Sequence, residues 1–167
     1  IKKSLLGFKG VERRFSFVGK VNNISIIDDY AHHPTEIKNT ISAAKSLCSG
    51  KLIIIFEPHR YSRIIDLYDD FINSFDKADF LFVTNIYAAG EKHIEGISKE
   101  SIIESIKDTG HKNVNFFENE NSMEVELVKI SHKDDFIVFL GAGASSKKAR
   151  ALEKNMLQLL LKNNFHK

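Results

Sequence analysis

The chain alternates between short, nearly unbroken apolar runs and longer stretches in which apolar residues return every three or four positions. The runs at 24–27, Leu52–Phe56, Phe80–Val83 and Phe136–Leu140 have the character of strands covered on both faces. Between them, Ile37, Ile41, Ala44 and Leu47 mark a helix over 34–48, with Pro34 at a favoured first position. Leu67, Phe71 and Phe75 mark a second helix starting near Arg63. Ile102, Ile103 and Ile106 mark a third from Lys99, with Ser98 as its cap. Ala149, Leu152, Met156 and Leu159 mark a last one over 147–162. A weaker strand at 114–117 and a short helix at Ser122–Ile130 fill the remaining interval. Upstream, Phe15, Phe17 and Val21 alternate with polar neighbours, which suggests an edge strand or hairpin behind a linker. This alternation predicts an α/β fold: a Rossmann-like, mostly parallel sheet with helices on both faces and an optional antiparallel edge strand. The expected organisation is a linker at 1–14 and one domain at 15–167.

Composition narrows the classes without choosing a function. A 43% hydrophobic fraction and only two prolines belong to a folded chain. Twenty-four Lys and Arg against 22 Asp and Glu leave a net charge of +2, so neither nucleic acid nor membrane is an expected partner. The apolar runs fall far short of the roughly 20 residues that span a bilayer. The single cysteine, Cys48, closes no intrachain disulfide, and a reducing cytoplasm is the default expectation. The start has no signal-peptide pattern, and a first residue of Ile1 is expected of a truncated or excised domain.

In open parallel sheets, ligands bind where the loops leave the carboxyl ends of the strands, so chemistry is sought there first. Those loops read DDYAHHPTE from Asp28, EPHRYSR from Glu57, NIYAAGE from Asn85 and GAGASS from Gly141. The loop after Phe80–Val83 is long, which favours function over mere connection. His32 and His33 beside Asp28 and Asp29 are possible metal ligands by type, yet adjacent histidines seldom face one ion. No metal site is expected, and capping of the helix at Pro34 is the plain alternative. Arg60 and Arg63 place two guanidinium forks at one turn, suited to a carboxylate or phosphate; a solvated helix start is the bland reading. Gly141, Ala142 and Gly143 let backbone approach an anion, but the third glycine of GxGxxG is absent and no GxxxxGK[ST] occurs. Cys48 reads as a half-buried small hydrophobe, His111 and His132 as solvated, and the phenylalanines as core.

Taken in order, DDYAHHPTEI, FEPHRYSR with LYDDF, IYAAGE and FLGAG resemble the C-terminal domain of the Mur ligases of bacterial peptidoglycan synthesis, in the branch that adds L-alanine. FKGVERRFSFVG resembles the segment that joins that domain to a central one. The resemblance implies an ATP-dependent reaction in which a carboxylate of UDP-N-acetylmuramate becomes an acyl phosphate and is attacked by the amine of L-alanine. It implies that Tyr30, His32, Arg60 and Arg63 surround the alanine and that Asp29 and His33 face the nucleotide. Gly141, Ala142 and Gly143 would line the crevice through their amides. ATP and Mg would be held mainly by a central domain that carries the P-loop, so no catalytic residue is expected on this chain alone. Two places depart from the family pattern: Glu57 stands where Gln is usual, and Ala144, Ser145 and Ser146 follow GAG where Asp and Ile are usual. The alternatives are the ligase that recycles murein tripeptide, whose relatives lack HRYSR, and a free-standing, non-catalytic binding module. A generic flavodoxin-like domain would fit the alternation but leaves the histidine and arginine loops unexplained.

Overall fold

The computed structural model describes residues 11–117, 119 and 122–164, the side chains of 159–164 excepted. Six strands form one sheet: β1 Ser16–Val21, β2 Ile24–Asp29, β3 Leu52–Phe56, β4 Phe80–Val83, β5 Val114–Asn115 and β6 Phe136–Leu140. The helices are α1 Pro34–Leu47, α2 Tyr61–Asp66, α3 Tyr68–Ile72, α4 Lys99–Asp108, α5 Ser122–Ile130 and α6 Ser145–Asn164. The sheet order is β1-β2-β6-β3-β4-β5, with β1 antiparallel to β2 and every other pair parallel.

The edge hairpin follows from its turn. Asn22 and Asn23 both take positive φ, 49° and 66°, the geometry a tight hairpin requires and asparagine tolerates. A bulge between Phe17 and Gly19 then shifts the alternation: Val21 is buried and Phe17 is 64% exposed. Phe15 and Phe17 are therefore not equivalent core positions to Val21, as simple alternation suggests.

Strand residues divide cleanly between two cores. Ile27, Leu52, Ile54, Phe56, Leu81 and Val138 face α1 to α4, against Ile37, Ile41, Ile64, Phe71, Ile102 and Ile106. Ile26, Ile53, Ile55, Phe82, Ile137 and Phe139 face α5 and α6, against Met123, Leu127, Ala149, Leu152 and Met156. This double coverage is why the strands read as continuous apolar runs. Leu47 falls off the stripe of α1 and is 62% exposed. Ser98 caps α4 as expected, in a reciprocal pair with Ser101. The single helix expected from Arg63 is two short ones, broken at Leu67 with φ −126° and ψ 27°. The strand expected at 114–117 retains only its first two residues, and the side chain of Leu159 lies outside those described.

Chain order sets up the site. The β2–α1–β3 crossover leaves a gap in the sheet, which β6 fills last, pairing with β2 on one side and β3 on the other. The loops that leave β2, β6 and β3 at their carboxyl ends thereby become neighbours, although they lie far apart in sequence.

Candidate functional site

Three of the expected residues, Tyr30, His32 and Arg63, are linked on this rim through a fourth that the sequence reading did not single out, with Arg60 beside them. The Tyr30 and His32 rings contact edge-on, with centroids 5.0 Å apart. His32 lies 5.5 Å from the His59 ring, which stacks on Tyr87 at 5.3 Å. An Arg63 Nη donates to His59 Nδ1 at 3.1 Å. Arg60, half exposed, reaches to 4.0 Å from Glu91. His59 is thus the connector between the two motifs. It sits four residues before Arg63, a spacing within reach of one helical turn.

Arg60 takes φ 67° and ψ 130°, a backbone conformation that L-residues adopt only under constraint. The constraint comes from the loop after β4. Arg60 N–H donates to Tyr87 C=O at 2.9 Å, and Tyr87 N–H donates to Pro58 C=O at 2.8 Å. Glu91 accepts from both the amide and the hydroxyl of Ser62, at 3.0 and 2.6 Å, and so ties the same loop to the start of α2. The Ser62 bonds hold the Glu91 carboxyl below its ordinary range. Tyr87 and Glu91 thus brace the arginine turn. The unusual length of their loop is the signal that points to them.

The other expected residues are placed differently. Asp29 is buried, and its two oxygens accept from the amides of Phe15 and Ala31, both at 2.7 Å. It holds the chain entry against the β2 loop and presents little surface to a ribose. His33 caps α1, accepting weakly from Thr35 N–H at 3.4 Å, and is exposed. The amides of Gly141 and Gly143 are directed inward, to Asp29 C=O and to a Glu57 oxygen. Of the three loop residues expected to offer amides, only Ala142 has its N–H uncommitted among the described contacts. His111, expected to be solvated, has both ring nitrogens shielded from solvent. Cys48 is half-buried, as expected, and donates to Lys51 C=O at 3.3 Å.

Glu57 explains the inward turn of the glycine loop. Its carboxylate is buried and accepts from the amides of Gly143 and Ala144, at 2.9 and 3.2 Å, just ahead of α6. Burial pushes its carboxyl above the ordinary range, against the pull of Lys148 and the loop amides. Gly143 is required here, because a Cβ would press on the Glu57 carboxylate and stand 2.8 Å from Tyr87 Cγ.

Arg13, assigned to the linker on sequence grounds, also reaches the rim. It donates to Gly141 C=O at 2.7 Å and to the Ser145 hydroxyl at 3.1 Å, and its guanidinium lies 4.7 Å from the Tyr30 ring centre. A cavity of about 260 Å³ on the same edge lies at the end of β4, lined by Thr84, Lys99, Phe117 and Lys148. Its lining includes none of the candidate site residues named from the sequence.

Comparison with known proteins finds the Mur ligase, glutamate ligase domain family over residues 13–143. The chain is 50% identical over 157 residues to the UDP-N-acetylmuramate–L-alanine ligase of Rickettsia bellii, covering 91% of this chain and 33% of that protein. It is 42% identical over 156 residues to the enzyme of the same name from Agrobacterium fabrum, covering 93% of this chain and 33% of that one. Among solved structures, the UDP-N-acetylmuramate–alanine ligase of Thermotoga maritima matches with a TM-score of 0.69 at 30% identity, over 92% of this chain and 32% of that one. A murein peptide ligase from Psychrobacter arcticus shares the fold, with a TM-score of 0.67 at 23% identity, over 93% of this chain and 31% of that one. The chain spans about a third of the length of the curated relatives it matches.

Proposed function

The chain belongs to the Mur ligase, glutamate ligase domain family, and from that premise we propose that it is the amino-acid-binding, C-terminal domain of an ATP-dependent ligase joining L-alanine to UDP-N-acetylmuramate. The observation that carries this reading is the contiguous group Tyr30, His32, His59 and Arg63, with Arg60 held beside it in a constrained backbone. A small amino acid brings a carboxylate, and the two guanidinium groups at the start of α2 supply bidentate donors for it. The relatives named as L-alanine ligases support the choice of amino acid, and at up to 50% identity they outweigh the fold-level likeness to a murein peptide ligase.

In this reading the domain works by positioning and charge stabilisation, because an acyl phosphate is reactive once made. ATP and Mg belong mainly to a central domain that is no part of this chain. The sequence has no P-loop. The nucleotide side of this rim falls to Asp29 and His33, with Asp29 acting through the loop it anchors. The chain alone is expected to be inactive. This reading expects a ligase of the bacterial cytoplasm with no nucleic-acid or membrane partner. No helix among the described residues is long and apolar enough to cross a membrane.

The test is steady-state kinetics of a full-length ligase carrying this chain. Arg63→Ala and Arg60→Ala should each raise the KM for L-alanine about 10- to 100-fold, the loss of a charge-assisted bond worth about 1.5–3 kcal/mol. The KM for ATP should change little. An unchanged alanine KM in both variants refutes the carboxylate clamp.

A further inference from the structure

We propose that His32 is the base that takes a proton from the ammonium group of the incoming amino acid, while His59 and the two arginines hold its carboxylate. This rests on the reading above and assigns the polarity of that same site.

The assignment comes from the partners of the two imidazoles. His32 Nδ1 lies 2.8 Å from Tyr30 C=O. A carbonyl only accepts, so Nδ1 carries the hydrogen and the lone pair is on Nε2. His59 is the reverse. Its Nδ1 faces an Arg63 Nη at 3.1 Å, and a guanidinium only donates, so His59 holds its hydrogen on Nε2. The two rings, 5.5 Å apart, thus offer one acceptor and one donor.

The surrounding charges agree with this division. Around His59 stand Arg63, the His32 ring, Arg60 and Glu91; burial first, and then Arg63, the His32 ring and Arg60, push the His59 imidazole below its ordinary range against the opposing pull of Glu91. His59 is a donor to anions and a poor proton acceptor. His32 has Glu36 on its other side. A Glu36 oxygen accepts from His32 N–H at 3.2 Å and lies 3.9 Å from its Nδ1. Burial alone would raise the Glu36 carboxyl, but the bonds from His32 N–H and Arg14 outweigh it, so Glu36 stays ionised beside the imidazolium that proton transfer creates. An amino acid therefore binds with its carboxylate on the arginine turn and its ammonium toward His32.

The step balances. One ammonium proton passes to His32 Nε2, and the freed nitrogen lone pair attacks the carbonyl carbon of the acyl phosphate. The C–N bond forms, the C–O bond to phosphorus breaks, and inorganic phosphate leaves with a second nitrogen proton. The third stays on the amide, and His32 returns its proton to solvent.

Two measurements test this. In the present chain, ¹⁵N imidazole spectra at neutral pH should show His32 protonated on Nδ1 and His59 on Nε2; His32 protonated on Nε2 instead would overturn the assignment. In a full-length ligase carrying this chain, His32→Ala should lower the alanine-dependent rate about 10²- to 10⁴-fold. Added imidazoles should restore it in proportion to their concentration and basicity. His32→Asn, which keeps a donor for Tyr30 C=O but no base, should lose as much, and that separates a base from a structural prop. A loss below about threefold, or one that no imidazole restores, overturns the base role. A wild-type ligase that makes no alanyl product defeats the underlying reading instead, whatever the histidine variants do.

Discussion

Gly143→Ala is expected to loosen three loops at once. The new methyl meets the Glu57 carboxylate on one side and stands 2.8 Å from Tyr87 Cγ on the other, so at least one wall must yield. Tyr87 is half-exposed and can swing away, but only by giving up its stacking on His59, about 0.5–1.5 kcal/mol. Glu57 can retreat only by leaving a buried, charge-assisted bond to the Gly143 amide, about 1.5–3 kcal/mol. Because both walls are struck, the cost should be about 2–4 kcal/mol. At about 2–4 °C per kcal/mol for a domain of this size, the Tm should fall by roughly 4–16 °C. Thermal unfolding followed by far-UV circular dichroism measures this, and backbone amide spectra should show shifts at His59 and Arg60 as well as at the glycine loop. Tyr87→Ala removes one wall, so Gly143→Ala should cost about 1 kcal/mol less in that background. A Tm within about 1 °C of wild type, or equal costs with and without the Tyr87 ring, refutes the view that Gly143 is there to let these loops touch.

The raised Glu57 carboxyl carries a pH signature. A folded value above the unfolded one contributes stability that is complete below the ordinary carboxylate range and lost as pH rises through the raised value. Wild type should therefore lose stability relative to Glu57→Gln as pH climbs through that window; a constant difference in denaturant midpoint across it would contradict the assignment. Asp135 is buried and accepts from the amides of Lys51 and His132, both at 2.7 Å, so Asp135→Ala should cost about 2–4 kcal/mol in urea unfolding. A loss below about 1 kcal/mol would show that water replaces the carboxylate there. Arg60→Gly should relieve backbone strain and leave the chain as stable or up to about 2 kcal/mol more stable, while alanine use falls as in Arg60→Ala. A marked loss of stability would mean that the turn does not strain Arg60.

The strands could be read from the sequence because each is covered on both faces: Ile53, Ile54 and Ile55 all need apolar neighbours, whichever way they point. The break at Leu67 was hidden for a related reason. Leu67, Phe71 and Phe75 keep helical spacing across it, so the apolar pattern is blind to a backbone that turns and resumes in phase. The bulge at Phe17 is the opposite case, in which one extra residue reverses which side chain is inside without altering any residue type. Strand order was out of reach. β6 returns to lie between β2 and β3, and this brings Gly141 beside Asp29 and Glu57.

The candidate site divides along the same line. Arg60, Arg63, Tyr30 and His32 were legible because they stand in compact motifs at strand ends, where one turn delivers several polar groups. Arg13 was not, and Tyr87 only through the length of its loop, since their work is done on residues distant in sequence: Tyr87 braces Arg60, and Arg13 closes on Gly141. Asp29 stands in the same motif as a carboxylate whose two oxygens are taken up by the chain's own amides, which a sequence alone does not reveal. Deepest of all lies the state of the two histidines. A sequence places an imidazole but not its proton, and here the proton's position follows from one carbonyl at 2.8 Å and one guanidinium at 3.1 Å. Those two contacts, each between residues no more than four apart in sequence, give two identical side chains opposite roles, a proton acceptor and a hydrogen-bond donor, a pairing that would suit a ligand with one ammonium and one carboxylate.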